Sequence, residues 1–272
     1  MPGSRMITFR ACMRAVLVVA ALACAAGSAS AQTEDTQPPL KHIHVNLNDK
    51  EALRMGAVYF MHECMGCHSI SGARFAELAR PLGLSKAEIQ KTIDITGRGA
   101  YDEITSTMPA DTAKQLLHVE RPDLTVIANL YSADWLYTYL TSFYMDPGRP
   151  TGANNVVVPN VAMPDVFADL QGLQEPVKEM GYRFGQRTKV AVGVKLATQG
   201  SMTPAQFDQL ARDLATFLYY TANPHEQQSH EIGIWFLALL GALTVLAYLL
   251  YRVYWRDVVR PHGARWWSYW KR

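Results

Sequence analysis

Cys64-Met65-Gly66-Cys67-His68 is the stretch from which the rest of the chain is read. The pattern C-x-x-C-H is that of a c-type haem attachment site. Two thiols three residues apart on one turn of chain can each add to a haem vinyl group. The next residue then turns its imidazole to the iron from the same side, and neutral imidazole is a good iron ligand. Cys64 and Cys67 are the expected attachment points and His68 the expected proximal ligand. One motif implies one covalent haem c. A thioredoxin-like redox pair needs a βαβ context, which the flanking sequence does not offer. A zinc site needs further ligands; His62 is a candidate, but no second cysteine pair accompanies it.

Working outward, Asn48 followed by Glu51 reads as a helix N-cap with its reciprocal partner. Leu53, Ala57, Phe60 and Cys64 then recur at helical spacing, so this helix runs into the motif. Gly56 is small enough to let a second helix cross closely. That helix is expected from Pro204 to about Thr221. Thr203 caps it, Pro204 fills the first turn, and Phe207, Leu210, Ala211, Leu214, Phe217 and Leu218 form its apolar stripe. Asn223-Pro224 ends it, and a short polar hinge to Glu231 follows. The aromatic-rich stretch Trp135 to Tyr144 reads as core packing. The segment from residue 86 to 118 is the least readable: helical in places, with turn signals at Gly97 and Gly99.

Both ends are apolar, for different reasons. Arg5, Arg10 and Arg14 precede a short apolar run, Ala15 to Ala26, and Ala29-Ser30-Ala31 offers a cleavage site. That order is a secretory signal peptide over residues 1–31, and it removes Cys12 and Cys24. The pair left over is too few for a disulfide framework. Near the other end, Ile232 to Tyr251 is 20 residues without a charge. As a helix it is roughly 30 Å long, about one hydrocarbon thickness. Trp235 at one end and Tyr248, Tyr251, Tyr254 and Trp255 at the other are placed as an aromatic belt. Residues 32–231 hold 17 Lys and Arg against 23 Asp and Glu, net −6, whereas residues 252–272 hold six bases against Asp257, net +5. The basic tail predicts a cytoplasmic C-terminus, and the signal peptide independently predicts a large domain outside. The expected plan is a periplasmic domain over 32–231, a transmembrane anchor over 232–251 in the inner membrane lipid, and a cytoplasmic tail over 252–272. An acidic domain argues against nucleic acid as a partner.

A haem of this kind needs a sixth ligand. Eight methionines follow residue 31, and most methionines are core filler. Met163 stands apart in Val158-Pro159-Asn160-Val161-Ala162-Met163-Pro164, where Pro164 keeps it out of helical geometry. Met108-Pro109 has the same local chemistry and is the rival.

Six features occur in one order along the chain. They are the export signal, Cys64-Met65-Gly66-Cys67-His68-Ser69, Arg121-Pro122-Asp123-Leu124, Pro150-Thr151-Gly152, Val161-Ala162-Met163-Pro164, and the anchor after Asn223-Pro224-His225-Glu226. Together they resemble cytochrome c1, the haem subunit of the ubiquinol–cytochrome c oxidoreductase complex. The resemblance implies a mainly α chain: a class I cytochrome c-like haem domain with irregular loops and one C-terminal transmembrane helix. It implies His68 and Met163 as axial ligands, and Gly56 and Phe60 at the helix crossing. It implies cytochrome b, a Rieske iron–sulfur protein and a soluble periplasmic cytochrome c as partners. The chain would then be an electron-transfer subunit and not an enzyme on its own. Two features depart from the family. Pro122 stands alone after Arg121, and Ile127-Ala128-Asn129-Leu130-Tyr131 lacks the arginines the family commonly places near a haem propionate. Arg121 or Arg74 are the substitutes the sequence offers. The alternatives are a free-standing membrane-anchored cytochrome feeding an oxidase and a haem-based sensor. A peroxidase is disfavoured by the single haem. The net −6 of the exported domain suits an encounter with a basic cytochrome c.

Overall fold

The computed structural model describes residues 35–117 and 119–259. The expected signal peptide and residues 260–272 of the basic tail lie outside the described residues. In chain order the elements are α1 (Lys50–Tyr59), β1 (Ile70–Arg74), α2 (Ala79–Leu82), α3 (Lys86–Thr92), β2 (Glu103–Ile104) and α4 (Ala110–Leu117). Then come α5 (Ile127–Tyr131), α6 (Ala133–Leu140), β3 (Phe143–Met145), β4 (Ala153–Asn155), α7 (Ala168–Gln171), β5 (Gly172–Arg183), β6 (Gln186–Gln199), α8 (Pro204–Ala222) and α9 (Glu226–Val259). The chain divides into two compact units. The first holds residues 43–136 and 209 onward; the second holds residues up to 42 and 137–208.

In the first unit α1 begins one residue later than expected. Asp49 Oδ1 accepts from the N–H groups of Glu51 and Ala52, each at 3.1 Å, while the Asn48 N–H is turned to Asn46 Oδ1. Asp and Asn cap about equally well, but the carboxylate also complements the positive helix end. Leu53, Gly56 and Ala57 are buried along α1. Its last turn widens into a π-helix over Phe60–Cys64, closed by the Met65 N–H on the Phe60 carbonyl at 2.8 Å. The wider turn buries Phe60, Met61 and Cys64 together. A Cβ at Gly56 would stand 2.2 Å from the Asp213 carbonyl oxygen and 2.6 Å from Phe217 Cβ. The missing side chain therefore lets α8 cross α1 in van der Waals contact, and the Phe60 and Phe217 rings meet beside it at 6.0 Å. The cap at Thr203 and the six apolar positions of α8 are as the sequence predicts. The Thr203 hydroxyl accepts from the Gln206 N–H, the Gln206 side chain returns to the Thr203 N–H, and all six stripe residues are buried.

The least readable segment, expected to be helical in places, resolves into short pieces, two of them helices. Ser85 and Glu88 form a capping box at the start of α3, β2 pairs antiparallel with β1, and α4 follows. The expected polar hinge to Glu231 is not a hinge, because α9 is already helical from Glu226. Pro224 breaks the chain between α8 and α9, and the polar residues after it are tolerable helix formers with no reason to uncoil. Among the described residues, the stretch Gln228–Trp255 of α9 is the one helix long and apolar enough to cross a membrane. Its large apolar side chains are exposed throughout, Trp235 at 78 % and Leu246 at 61 %. A helix buried in the core of this chain would not leave its apolar side chains so exposed.

The second unit rests on β-structure that the mainly α expectation left out. β3 pairs antiparallel with β4, and β5 with β6 over the long register from Gly172↔Gln199 to Arg183↔Gln186. The β5–β6 turn is two residues, Phe184 and Gly185, both at positive φ (51° and 73°). That is the geometry whose twist suits a tight hairpin.

Candidate haem-attachment site

The attachment turn is built by backbone hydrogen bonds inside the first unit. The N–H groups of Cys67 and His68 both donate to the Cys64 carbonyl, at 2.9 and 2.8 Å. This winds the chain so that two thiols and an imidazole leave one turn. Both cysteines are free, Cys64 buried and Cys67 half-buried. Burial pushes the Cys64 thiol up to about 12, with Glu63 and Cys67 adding to it. Such a sulfur is neutral at pH 7, unlike the thiolates that ligate metals or exchange disulfides.

His68 is half-buried, and its Nδ1 lies 2.9 Å from the Pro122 carbonyl oxygen. A carbonyl only accepts, so Nδ1 carries the proton and Nε2 keeps its lone pair. Burial lowers the imidazole's pKa, opposed by the bond to Pro122 and joined by the charge of Arg121. The ring is thus held neutral in the tautomer that a metal ligand needs. The Arg121-Pro122-Asp123-Leu124 segment wraps this histidine. Leu124 N–H donates to Ser69 O at 2.8 Å and Ser71 N–H to Asp123 Oδ2 at 3.0 Å. Arg121 forks across two carbonyls, Cys67 O at 2.6 Å and Met108 O at 3.1 Å. Its guanidinium braces the attachment turn, and Arg74 is likewise occupied by the Tyr101 carbonyl at 2.6 Å. Met108 N–H donates to Gly66 O at 3.2 Å, so its backbone belongs to the same turn.

Met163 lies in the second unit, outside any helix, and is half-buried. Its Sδ accepts from the Tyr139 hydroxyl at 3.2 Å. The loop before it hangs on two buried asparagines. Asn155 Oδ1 accepts from Val157 and Val158 N–H, and Asn154 Oδ1 from Asn160 N–H. Burial raises the neighbouring Asp165 to about 6, against the donation from Phe167 N–H. Sequence reasoning missed the roles of Pro122, Asn154, Asn155 and Tyr139. A backbone acceptor and two distant amides leave no local pattern to read.

Two free thiols at the attachment spacing and a neutral imidazole aimed by a backbone carbonyl fit a covalent haem. Among the described residues no group of three or more His, Cys, Asp or Glu could hold a metal ion, and the three two-stranded sheets are all antiparallel. The zinc and thioredoxin-like alternatives lack their supports there. The donor set is that of a c-type cytochrome. The family model described as the cytochrome C1 family matches residues 42–258. The chain is 41 % identical over 219 residues to cytochrome c1 of Allochromatium vinosum, covering 80 % of this chain and 89 % of that one. It is 37 % identical over 212 residues to the ammonia monooxygenase gamma subunit of Nitrosomonas europaea, covering 77 % and 85 %. It is 25 % identical over 243 residues to cytochrome c1 of Blastochloris viridis, covering 77 % and 82 %. The chain belongs to the cytochrome c1 family. Membership makes it a membrane-anchored electron carrier, a haem subunit of a bc1-type complex with covalently bound haem c, and not an enzyme on its own.

Proposed function

We propose that Cys64 and Cys67 hold one haem c as thioethers, with His68 and Met163 as its axial ligands. The chain takes single electrons from a Rieske iron–sulfur protein and passes them to a soluble periplasmic cytochrome c, beside cytochrome b in the membrane. The haem, when bound, would supply reversible one-electron chemistry at its iron, and a methionine and a histidine as the residues that hold it would favour the reduced state. The chain's own residues hold and tune it. Pro122 O fixes the His68 tautomer, Arg121 locks the Cys67 carbonyl, and Tyr139 donates to the Met163 sulfur. The observation that supports the reading is the His68–Pro122 bond, which puts the proton on Nδ1 and leaves the Nε2 lone pair available to a metal. Met108 is the weaker choice of sixth ligand. Its N–H is bonded to the Gly66 carbonyl, so its backbone belongs to the turn that carries His68, whereas Met163 stands on a loop of its own.

The α1–α8 crossing at Gly56 supports a class I cytochrome c-like haem domain. The exposed apolar α9 and the charge split support the plan in which 1–31 is a cleaved signal, 32–231 is periplasmic, 232–251 spans the inner membrane and 252–272 is cytoplasmic. The net −6 of the exported part supports charge steering of a basic acceptor, weakened by salt. A second reading follows the Nitrosomonas europaea relative and seats the same haem unit in a monooxygenase. Purification from the native membrane separates them. Co-isolation with cytochrome b and a Rieske protein supports the first, and with monooxygenase subunits the second. For the site, haem absorbance retained on the polypeptide after acid–acetone extraction supports thioether attachment. Met163→Leu should lose the Met–iron charge-transfer band while Met108→Leu keeps it; the reverse outcome overturns the ligand assignment.

A further inference from the structure

The haem reading gives no task to Pro150-Thr151-Gly152, the turn that joins β3 to β4. Backbone hydrogen bonds close this turn. Arg149 N–H donates to the Asp146 carbonyl at 3.0 Å, Gly152 N–H to the Arg149 carbonyl at 3.0 Å, and Asp146 N–H to the Gly152 carbonyl at 2.9 Å. Gly152 takes a φ of 71°, a left-handed conformation without steric cost for glycine. Pro147 and Pro150 flank Arg149 and restrict the backbone further. The turn is thus a rigid mount for the Arg149 side chain.

Arg149 reaches the loop that leads into Met163, within the same compact unit. Its Nη2 donates to the Asn160 carbonyl at 2.7 Å, and its Nη1 donates to Asn160 Oδ1 at 3.4 Å. The other backbone group of Asn160 is held too, its N–H donating to Asn154 Oδ1 at 2.8 Å. Asn154 Nδ2 in turn donates to Asp146 Oδ2 at 2.8 Å, on the turn that carries Arg149. The circuit closes: both polar backbone groups of Asn160 hang on the β3–β4 hairpin. Asn160 itself has a φ of 64°, a left-handed conformation that asparagine tolerates better than most residues. Held in this way, its carbonyl is turned to the guanidinium. A charged donor makes a hydrogen bond roughly twice as strong as a neutral one.

We propose that Arg149 is a positioning residue for Met163: it latches the loop that presents the methionine sulfur, and so sets how readily that sulfur leaves the iron. The proposal deepens the ligand reading and rests on it. Asn160 stands three residues before Met163, so its placement limits where the sulfur can be. A ligand supported by fixed hydrogen bonds keeps its geometry, and one on a loose loop does not. Tyr139 donates to the sulfur itself at 3.2 Å, but a thioether is a weak acceptor and the hydroxyl is neutral. The latch acts on backbone instead. Its guanidinium stays protonated at any pH the protein meets, so the latch does not release by titration of the arginine.

The test uses the detergent-solubilised full chain with its haem, in the ferric state, and two readouts. Imidazole added as an external ligand displaces the methionine when the loop opens, and loss of the Met–iron charge-transfer band gives its binding rate. Amide hydrogen exchange across residues 157–163 reports the same opening without reference to the iron. Arg149→Ala should speed both about tenfold, as removal of a charged donor does. Arg149→Lys should recover part of the loss, because an ammonium cannot reproduce the fork. Ser85→Ala removes the cap of α3 in the other unit and so lowers stability away from this loop; it should move neither readout. If Arg149→Ala does not fold, the parent against Arg149→Lys carries the comparison. Faster exchange with imidazole binding unchanged would show a latch on a loop whose methionine is not the ligand, which overturns the ligand reading and this proposal with it. Exchange unchanged in both Arg149 variants, or equally accelerated by Ser85→Ala, would overturn the latch alone.

Discussion

Alanine at Gly56 tests the helix crossing that seats the attachment turn. The added Cβ would stand 2.2 Å from the Asp213 carbonyl oxygen and 2.6 Å from Phe217 Cβ, where real Cβ contacts below 3.0 Å essentially never occur. The helices must part by 3.0 − 2.2, about 0.8 Å. The obstructing atom is helix backbone, so no side chain can swing away to absorb it. Overpacking of this kind costs about 1–3 kcal/mol. Alanine's better helix propensity returns about 1 kcal/mol. The parting also loosens the Phe60–Phe217 contact, which places the cost near the top of its range. A net loss of about 2 kcal/mol is expected, or roughly 4–8 °C in apparent Tm for a domain of this size. The assay is thermal melting of the detergent-solubilised full chain, followed by far-ultraviolet circular dichroism. Gly66→Ala is the control, because its Cβ would meet nothing within 4 Å. Cys64 lies at the end of the π-turn that continues α1, so Gly56→Ala should also lower haem incorporation. A Gly56→Ala protein as stable as the parent would refute the close crossing.

Other perturbations read other contacts. Burial pushes Asp213 up to about 6, with the Gln209 donation opposing it and Asp49 and Glu51 adding to it. The folded state then holds this proton more tightly than the unfolded chain, so the contribution of Asp213 to stability is fully present below about pH 4 and is lost as pH rises towards about 6. Asp213→Asn should raise stability on the order of 1–2 kcal/mol at pH 7.5 and little at pH 4, read from urea midpoints; an equal gain at both would contradict the burial argument. Tyr139→Phe removes the donor to the Met163 sulfur, which withdraws electron density from it. A hydrogen bond of about 0.5–1.5 kcal/mol corresponds to a midpoint potential lowered by roughly 20–60 mV, with the Met–iron band retained. An unchanged potential would dissociate the hydroxyl from the ligand. Arg121→Ala strips two carbonyls of a charged donor and should cost about 2 kcal/mol in urea denaturation. Arg121→Lys should recover only part of it, because an ammonium cannot reproduce the fork.

What the sequence made legible was chemistry that acts over a few residues. The Thr203 cap, the apolar stripe of α8 and the helix over the uncharged run of α9 are short-range patterns, and the fold uses each where it was read. The cap at α1 moved from Asn48 to Asp49 because both residues are competent and only geometry decides between neighbours. The β5–β6 ribbon stayed hidden for physical reasons. Most of β5 and β6 is exposed on both faces, so strict apolar alternation is missing. Irregularities at Leu173/Gln174 and Val177/Lys178 break the period, Pro176 argues against a strand, and the turn is Phe184-Gly185 in place of Asn-Gly.

His68 and Met163 show where that boundary falls. His68 is announced by its neighbours, yet what fixes its tautomer is a carbonyl 54 residues on, at Pro122. Met163 is announced by Pro159 and Pro164, which keep its segment extended, yet the segment is hung on Asn154 and Asn155 and tied by Arg149 to the Asn160 carbonyl at 2.7 Å. Local sequence selects the donor atom in both cases. Long-range hydrogen bonds to backbone groups then hold its orientation, and any residue at Pro122 could supply the same carbonyl. Substitution there should therefore matter through the backbone conformation that proline fixes and not through its side chain, so positions of this kind are found by tracing buried acceptors and not by reading motifs.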